Sequence, residues 1–214
     1  MRRHSRLLWA VAGAIIPLIL AFVPSPGSKL VASPPQAAAR QATPADDRAA
    51  AVRRMQDGQL AILEARIEAR RQLVADLDSI ADLVPPQYRL LCIEEARRIG
   101  VEPRTLAALG WVESRWQPDA VGTSAEIGIL QLMPETAAWV AERLGVEEYD
   151  LTDPATNVRL GASYLYWLIR ENGGSIEDAL AAYNGGPAWR TRAPQAARGY
   201  VNRVRAAVGG GPAD

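Results

Sequence analysis

Histidine and cysteine are almost absent from this chain of 214 residues, represented only by His4 and Cys92. Ser-His and Cys-His nucleophilic pairs, and metal sites built from several His or Cys ligands, cannot be assembled within one copy. No disulfide can close inside it either. A surplus of one charge is lacking too: Lys plus Arg and Asp plus Glu number 24 each. That balance gives no electrostatic footprint for a nucleic-acid partner. Pro and Gly, at 15 and 17 residues, are too sparse and aperiodic for collagen, and 49% apolar residues is too many for a disordered protein. Sustained alternation of apolar and polar residues is also missing, so any sheet is small. Chemistry must rest on carboxylates, hydroxyls, amides and backbone, with no metal and no cofactor expected.

The even balance hides an asymmetry. Residues 1–39 carry Arg2, Arg3, Arg6 and Lys29 without a single acid, so the remainder sums to −4. Arg2, Arg3 and Arg6 precede the uncharged apolar stretch Leu7–Val23, and a basic region followed by an apolar run is the pattern of an export segment. The run lies at the lower edge of what spans a bilayer. Ala37-Ala38-Ala39 resembles a cleavage site but lies far from the run. Residues 1–23 are therefore expected to be either a cleaved signal peptide or an uncleaved anchor in the inner membrane. The rest of the chain is expected in the periplasm.

Residues 24–45, rich in Pro and Ala, read as a linker. Over 46–84 no Pro occurs, and Leu60, Leu63, Ile67, Val74, Leu77 and Val84 recur at spacings of three and four. This predicts one amphipathic helix with Arg70 and Ala81 as weak positions in its seam. Two uses fit it: a dimerising or partner-binding stalk that could recruit an envelope or secretion-system component, or a helix packed on the domain that follows. Pro85-Pro86 ends it. Beyond lie short helices with clear punctuation: 87–99 before Gly100, Pro103 to about Ser114, Pro134 to Gly145, and Asp153-Pro154 to Asn172-Gly173-Gly174. Ser175 with Asp178 forms a capping box, and Pro194 opens a last helix to about Val208. Residues 85–208 thus read as one all-α domain with at most a minor β-hairpin, and 209–214 as a disordered tail.

Glu113 is the residue with chemical promise. It lies at the end of the run Leu106–Val112, near a helix C-terminus, where the macrodipole disfavours ionisation. Trp111, Val112 and Trp116 would desolvate it further if they surround it. A carboxylic acid kept protonated near neutral pH is what a general acid needs to protonate a glycosidic oxygen. Trp111, Trp116, Trp139, Trp167 and Trp189 could stack on sugar faces, Trp116 first, although helical tryptophans are more often core. Cys92, between Leu91 and Ile93, reads as a small buried hydrophobe.

A series of blocks carries a resemblance. Glu113-Ser114-Arg115-Trp116-Gln117-Pro118-Asp119-Ala120-Val121 is followed by Gly128-Ile129-Leu130-Gln131-Leu132-Met133-Pro134-Glu135-Thr136-Ala137. Asn157, Gly161, Tyr164 and Leu165 come next, then Ala181-Ala182-Tyr183-Asn184-Gly185-Gly186-Pro187, and Tyr200-Val201 with Val204 close the series. In this order they resemble the soluble lytic transglycosylase family. The resemblance implies a lysozyme-like helical fold and cleavage of peptidoglycan glycan strands between N-acetylmuramic acid and N-acetylglucosamine. It implies Glu113 as catalytic acid and then base, with a 1,6-anhydro product. It also implies Gln131, Met133, Tyr183 and Asn184 as substrate-binding residues, with Ser114 supporting the site.

Departures from the family pattern cluster in one place. Gly122 stands where the family usually has Ser, and Ala125-Glu126 where it has Gly-Ala. Thr123 or Ser124 could supply the missing hydroxyl. Glu126 adds a carboxylate on the loop expected to face the groove, either as a second acid holding water or as a solvent-facing residue. Two alternatives to the transglycosylase follow: a lysozyme-type hydrolase using Glu126 or water, and a non-cleaving peptidoglycan-binding module of an envelope assembly. Residues 86–214 carry 13 Arg against 16 acids, so groove contacts, rather than general attraction to an anionic wall, must supply affinity.

Overall fold

A computed structural model describes residues 43–186 and 188–210. The segment expected to direct export, all but the end of the linker, and residues 211–214 of the expected tail lie outside the described residues. The chain divides into two units, Met1–Ala51 and Val52–Asp214. In the first, Thr43 opens helix α1 (Pro44–Ser79). Its backbone N–H and hydroxyl donate to the Asp46 carboxylate at 2.9 and 2.7 Å, and these bonds hold the Asp46 carboxyl below its usual range.

In the second unit, Leu60, Leu63, Ile67 and Val74 of the expected seam are exposed. Only the end of α1 is drawn in: Leu73 and Leu77 pack on the core, and buried Asp76 pairs with Arg97 at 2.7 Å. The helix stops at Ser79, short of the expected Val84. The reason lies elsewhere in the chain. Arg104 takes the Ser79 carbonyl, and Arg89 takes those of Ala81 and Val84 at 2.8 and 3.0 Å, so side-chain donors replace further helical bonds. Ile80, Leu83 and Val84 then bury in a turn.

The remaining helices are α2 (Arg89–Ile99), α3 (Pro103–Ser114), α4 (Pro134–Leu144), α5 (Pro154–Glu171), α6 (Ile176–Gly185), α7 (Trp189–Arg192) and α8 (Pro194–Val208). Proline opens α3, α4, α5 and α8 at the first turn, where its missing N–H has no helical partner to lose. Asp153 accepts from Thr156 N–H and Ser175 from Asp178 N–H, capping α5 and α6. Left-handed Gly100 and Gly145 close α2 and α4. Helix α3 packs on α8, α8 on α6, α6 on α5, α5 on α2 and α2 back on α3, while α4 lies on α5. Inside this circuit Leu106, Leu109, Val158, Leu165, Leu180 and Val204 are buried with a run of alanines that lets the helices approach closely. Leu132, Ala137, Val140, Leu151 and Leu160 form a second cluster beneath α4. The fold of the described residues is all-α. Strand pairing among the described residues is confined to the bridges Val121↔Ile127 and Ile127↔Leu132, which lie in the α3–α4 connection.

Among the described residues no helix is long and apolar enough to cross a membrane. Cys92 is buried, and burial pushes its thiol up to about 12, which makes it inert as a nucleophile at neutral pH.

Candidate active site

The α3–α4 connection builds the site. After Ser114, Arg115 and Trp116 are both left-handed, with φ of 57° and 63°, and this reverses the chain sharply. Trp116 is thereby turned inward to 1% exposure. Its Nε1–H donates to the Ala107 carbonyl at 3.0 Å, and its ring stacks on Tyr88 at 6.2 Å. The leading candidate for sugar stacking is thus a core residue, because two successive left-handed residues aim it away from the surface.

The connection is then pinned from three helices. Asn157 of α5, with no exposed surface, accepts from Leu130 N–H at 2.8 Å and donates to the carbonyls of Ile127 and Leu151 at 2.8 and 2.9 Å. Ser114 of α3 donates to Ile129 O at 2.8 Å. Tyr183 of α6 donates to Leu130 O at 2.9 Å. Gly128, at φ 80°, permits this: a Cβ there would come within 2.3 Å of Asn157 Nδ2 and 2.4 Å of Leu151 O. Gln131 donates through Nε2 to Gly128 O and Ala120 O at 2.9 and 3.2 Å. Ser114, Gln131 and Tyr183 therefore hold the shape of the connection with the donors a sugar would otherwise use. Met133 is half-buried ahead of α4, and Asn184 is exposed on α6.

Glu113 occupies the last turn of α3. Its Oε1 accepts the Tyr200 hydroxyl, delivered by α8. Burial pushes the Glu113 carboxyl up to about 7; the Tyr200 bond pulls it back, the Glu126 charge raises it, and the Arg203 charge lowers it. Tyr183 and Tyr200 are themselves pushed well up by burial and by the Glu113 charge, so both stay protonated donors. Tyr200 and Arg203 were not among the residues singled out for the site. Tyr200 lies in the last of the resembling blocks, 87 residues from Glu113, and only the packing of α8 on α3 unites them. Tyr200→Phe removes a bond that favours the ionised carboxyl. The alkaline limb of activity is expected to move up by roughly one pH unit, as read from a pH–rate profile.

Aromatic side chains extend the site. Tyr164 lies 5.3 Å from Tyr183 and 6.3 Å from Trp139 by ring centroids. Trp139 and Trp167 line an open groove with Glu135, Thr136, Arg143 and Tyr164.

Residues 91–202, more than half of the chain, match the model of the transglycosylase SLT domain family. The chain belongs to this family. Among curated SLT relatives, it is 29% identical over 114 residues to a soluble lytic murein transglycosylase of Salmonella typhimurium, covering 51% of this chain and 18% of that one. It is 38% identical over 87 residues to a membrane-bound lytic murein transglycosylase F of Pasteurella multocida, covering 38% and 16%. An inactive mutant of lytic transglycosylase Slt from Pseudomonas aeruginosa superposes with a TM-score of 0.53 at 28% identity, over 58% of this chain and 24% of that one. The chain thus spans less than a fifth of the length of these two curated relatives. The turn before Glu126 carries a conformational cost: Ala125 is left-handed at φ 68°, a region that side-chain-bearing residues rarely adopt.

Proposed function

We propose that this SLT-domain chain is a peptidoglycan lytic transglycosylase. The observation that carries the reading is Glu113, a half-buried carboxyl pushed up to about 7 and held by a tyrosine hydroxyl. Such a group is protonated in part at neutral pH and accepts a proton back readily. Support comes also from the relatives, which are named soluble or membrane-bound lytic murein transglycosylases.

In this reading Glu113 donates its proton to the glycosidic oxygen between N-acetylmuramic acid and N-acetylglucosamine. The bond from that oxygen to C1 of the muramic acid breaks, and the substrate's 2-acetamido group stabilises C1. The Glu113 carboxylate then takes the proton from O6, which closes on C1. One C–O bond breaks, one forms, the proton returns to Glu113, and no water is consumed. Gln131, Met133, Tyr183 and Asn184 line the path of the glycan, and Ser114 keeps the end of α3 fixed against it. The substrate places this work in the periplasm.

Mass spectrometry of peptidoglycan digested by the full chain tests the proposal. Muropeptides ending in 1,6-anhydro muramic acid, lighter than hydrolysis products by one water, are expected. Reducing-end muramic acid alone would instead assign a hydrolase. Absence of any soluble muropeptide would assign a binding module.

A further inference from the structure

We propose that Glu126 is a positioning residue of this site, its carboxylate seated in the space that the missing side chain of Gly122 leaves beside Gln131. The inference rests on the reading of Glu113 as the acid. A Cβ on Gly122 would come within 2.3 Å of Glu126 Oε2, 3.0 Å of its Cδ and 2.7 Å of Gln131 Oε1. Two side chains therefore converge over a bare Cα, and any residue larger than glycine would displace them.

The Glu126 carboxylate is anchored rather than loose. Its Oε2 accepts Ser124 N–H at 2.9 Å. The backbone around it is drawn tight by Gly122 N–H on Glu126 O at 2.8 Å and Ala125 N–H on Gly122 O at 3.2 Å. Left-handed Ala125 completes this turn. Thr123 and Ser124 are exposed, so the turn serves the carboxylate instead of restoring a hydroxyl to the groove. The two departures from the family pattern are thus one exchange. A hydroxyl at 122 and a methyl at 126 give way to no side chain at 122 and a carboxylate at 126.

The groups acting on Glu113 come from three directions. Tyr200 and Arg203 of α8 favour its ionised form. Tyr183 of α6, backed by Tyr164 of α5, is a neutral phenol whose own ionisation Glu113 opposes. Glu126 of the α3–α4 connection is the acid on the opposite side of the balance, and its like charge favours the protonated form that must donate.

The test is the pH dependence of muropeptide release from peptidoglycan by the full chain, comparing wild type, Glu126→Gln, Gly122→Ser and the double variant. Glu126→Gln keeps an oxygen for Ser124 N–H and removes only the charge. Glu113 must be protonated to donate, so activity falls as pH rises through its pKa. Removing a neighbouring negative charge lowers that pKa, and the falling limb should move to lower pH by about 0.4 unit. A shift of a few tenths of a unit is the Coulomb effect of one like charge across a solvated site, and it is larger if water is excluded. Gly122→Ser should give the same shift by expelling the carboxylate, and the double variant should add nothing further. An unmoved limb in folded Glu126→Gln, a shift in the opposite direction, or loss of cleavage at every pH would overturn the proposal. So would additive shifts in the double variant. Should Gly122→Ser not fold, Glu126→Gln decides alone. Glu113→Gln, run alongside, separates the two readings: undiminished cleavage there removes the acid assignment whatever Glu126→Gln does.

Discussion

Glu113→Gln is expected to lower the rate of muropeptide release by about 10²- to 10⁴-fold, the range of a positioned general acid, while leaving the protein folded. The amide oxygen can still accept the Tyr200 hydroxyl, but the group has no acidic proton for the glycosidic oxygen. The same substitution should raise thermal stability at neutral and alkaline pH. In the folded chain the Glu113 carboxyl is pushed up from 4.5 to about 7, so folding takes up protons between those values and stability declines as pH rises across that window. Gln removes this opposition. The gain in melting temperature should be present at pH 8 and vanish towards pH 4.5. Release assays and melting curves of the same preparations check both halves. A variant that is inactive and also less stable at pH 8 would point to collapse of the site instead of loss of the acid.

Asn157→Ala is expected to destabilise the fold by roughly 2–5 kcal/mol, because it strands Leu130 N–H and the Leu151 carbonyl in the interior at about 1–3 kcal/mol each, while the Ile127 carbonyl keeps the Leu132 N–H. Domains of this kind are stable by only about 5–15 kcal/mol. Urea denaturation should therefore show a midpoint lowered by a third or more. Activity should fall further than the folded fraction explains, since the segment that Asn157 ties down also receives Ser114 and Tyr183. Stability unchanged within 1 kcal/mol would mean that water satisfies these groups.

Much of the helical plan is legible in the sequence because it is written locally. Pro103, Pro134, Pro154 and Pro194 start helices, and Gly100 and Gly145 stop them, through rules that need no tertiary partner. The end of α1 is not local: Arg89 and Arg104, further along the chain, decide it. Helix α7, only Trp189–Arg192, is too short for any period to register. In the site, Glu113 stands out by the motif that it opens, because a Glu in a last helical turn is ordinarily solvated. Tyr200 and Arg203 do not, because α8 reaches Glu113 only when the helices close their circuit. The fate of Trp116 was equally hidden, since its direction depends on two left-handed residues that carry ordinary side chains. Ser114 and Gln131 are recognisable as positions, but that their donors face the backbone is set by how the connection folds over α5.

Among the described residues, non-glycine left-handed conformations occur at Arg115, Trp116, Ala125 and Gln131. All four lie in the connection between α3 and α4. Each costs about 1 kcal/mol or more, and Asn157, Ser114, Tyr183 and Glu126 hold that connection in place. That connection is therefore preorganised: its shape is set during folding, before any ligand arrives. Association then need not spend binding free energy on ordering the protein. In the proposed reaction, that energy is left for bending the sugar ring towards its transition state, where it accelerates the chemical step.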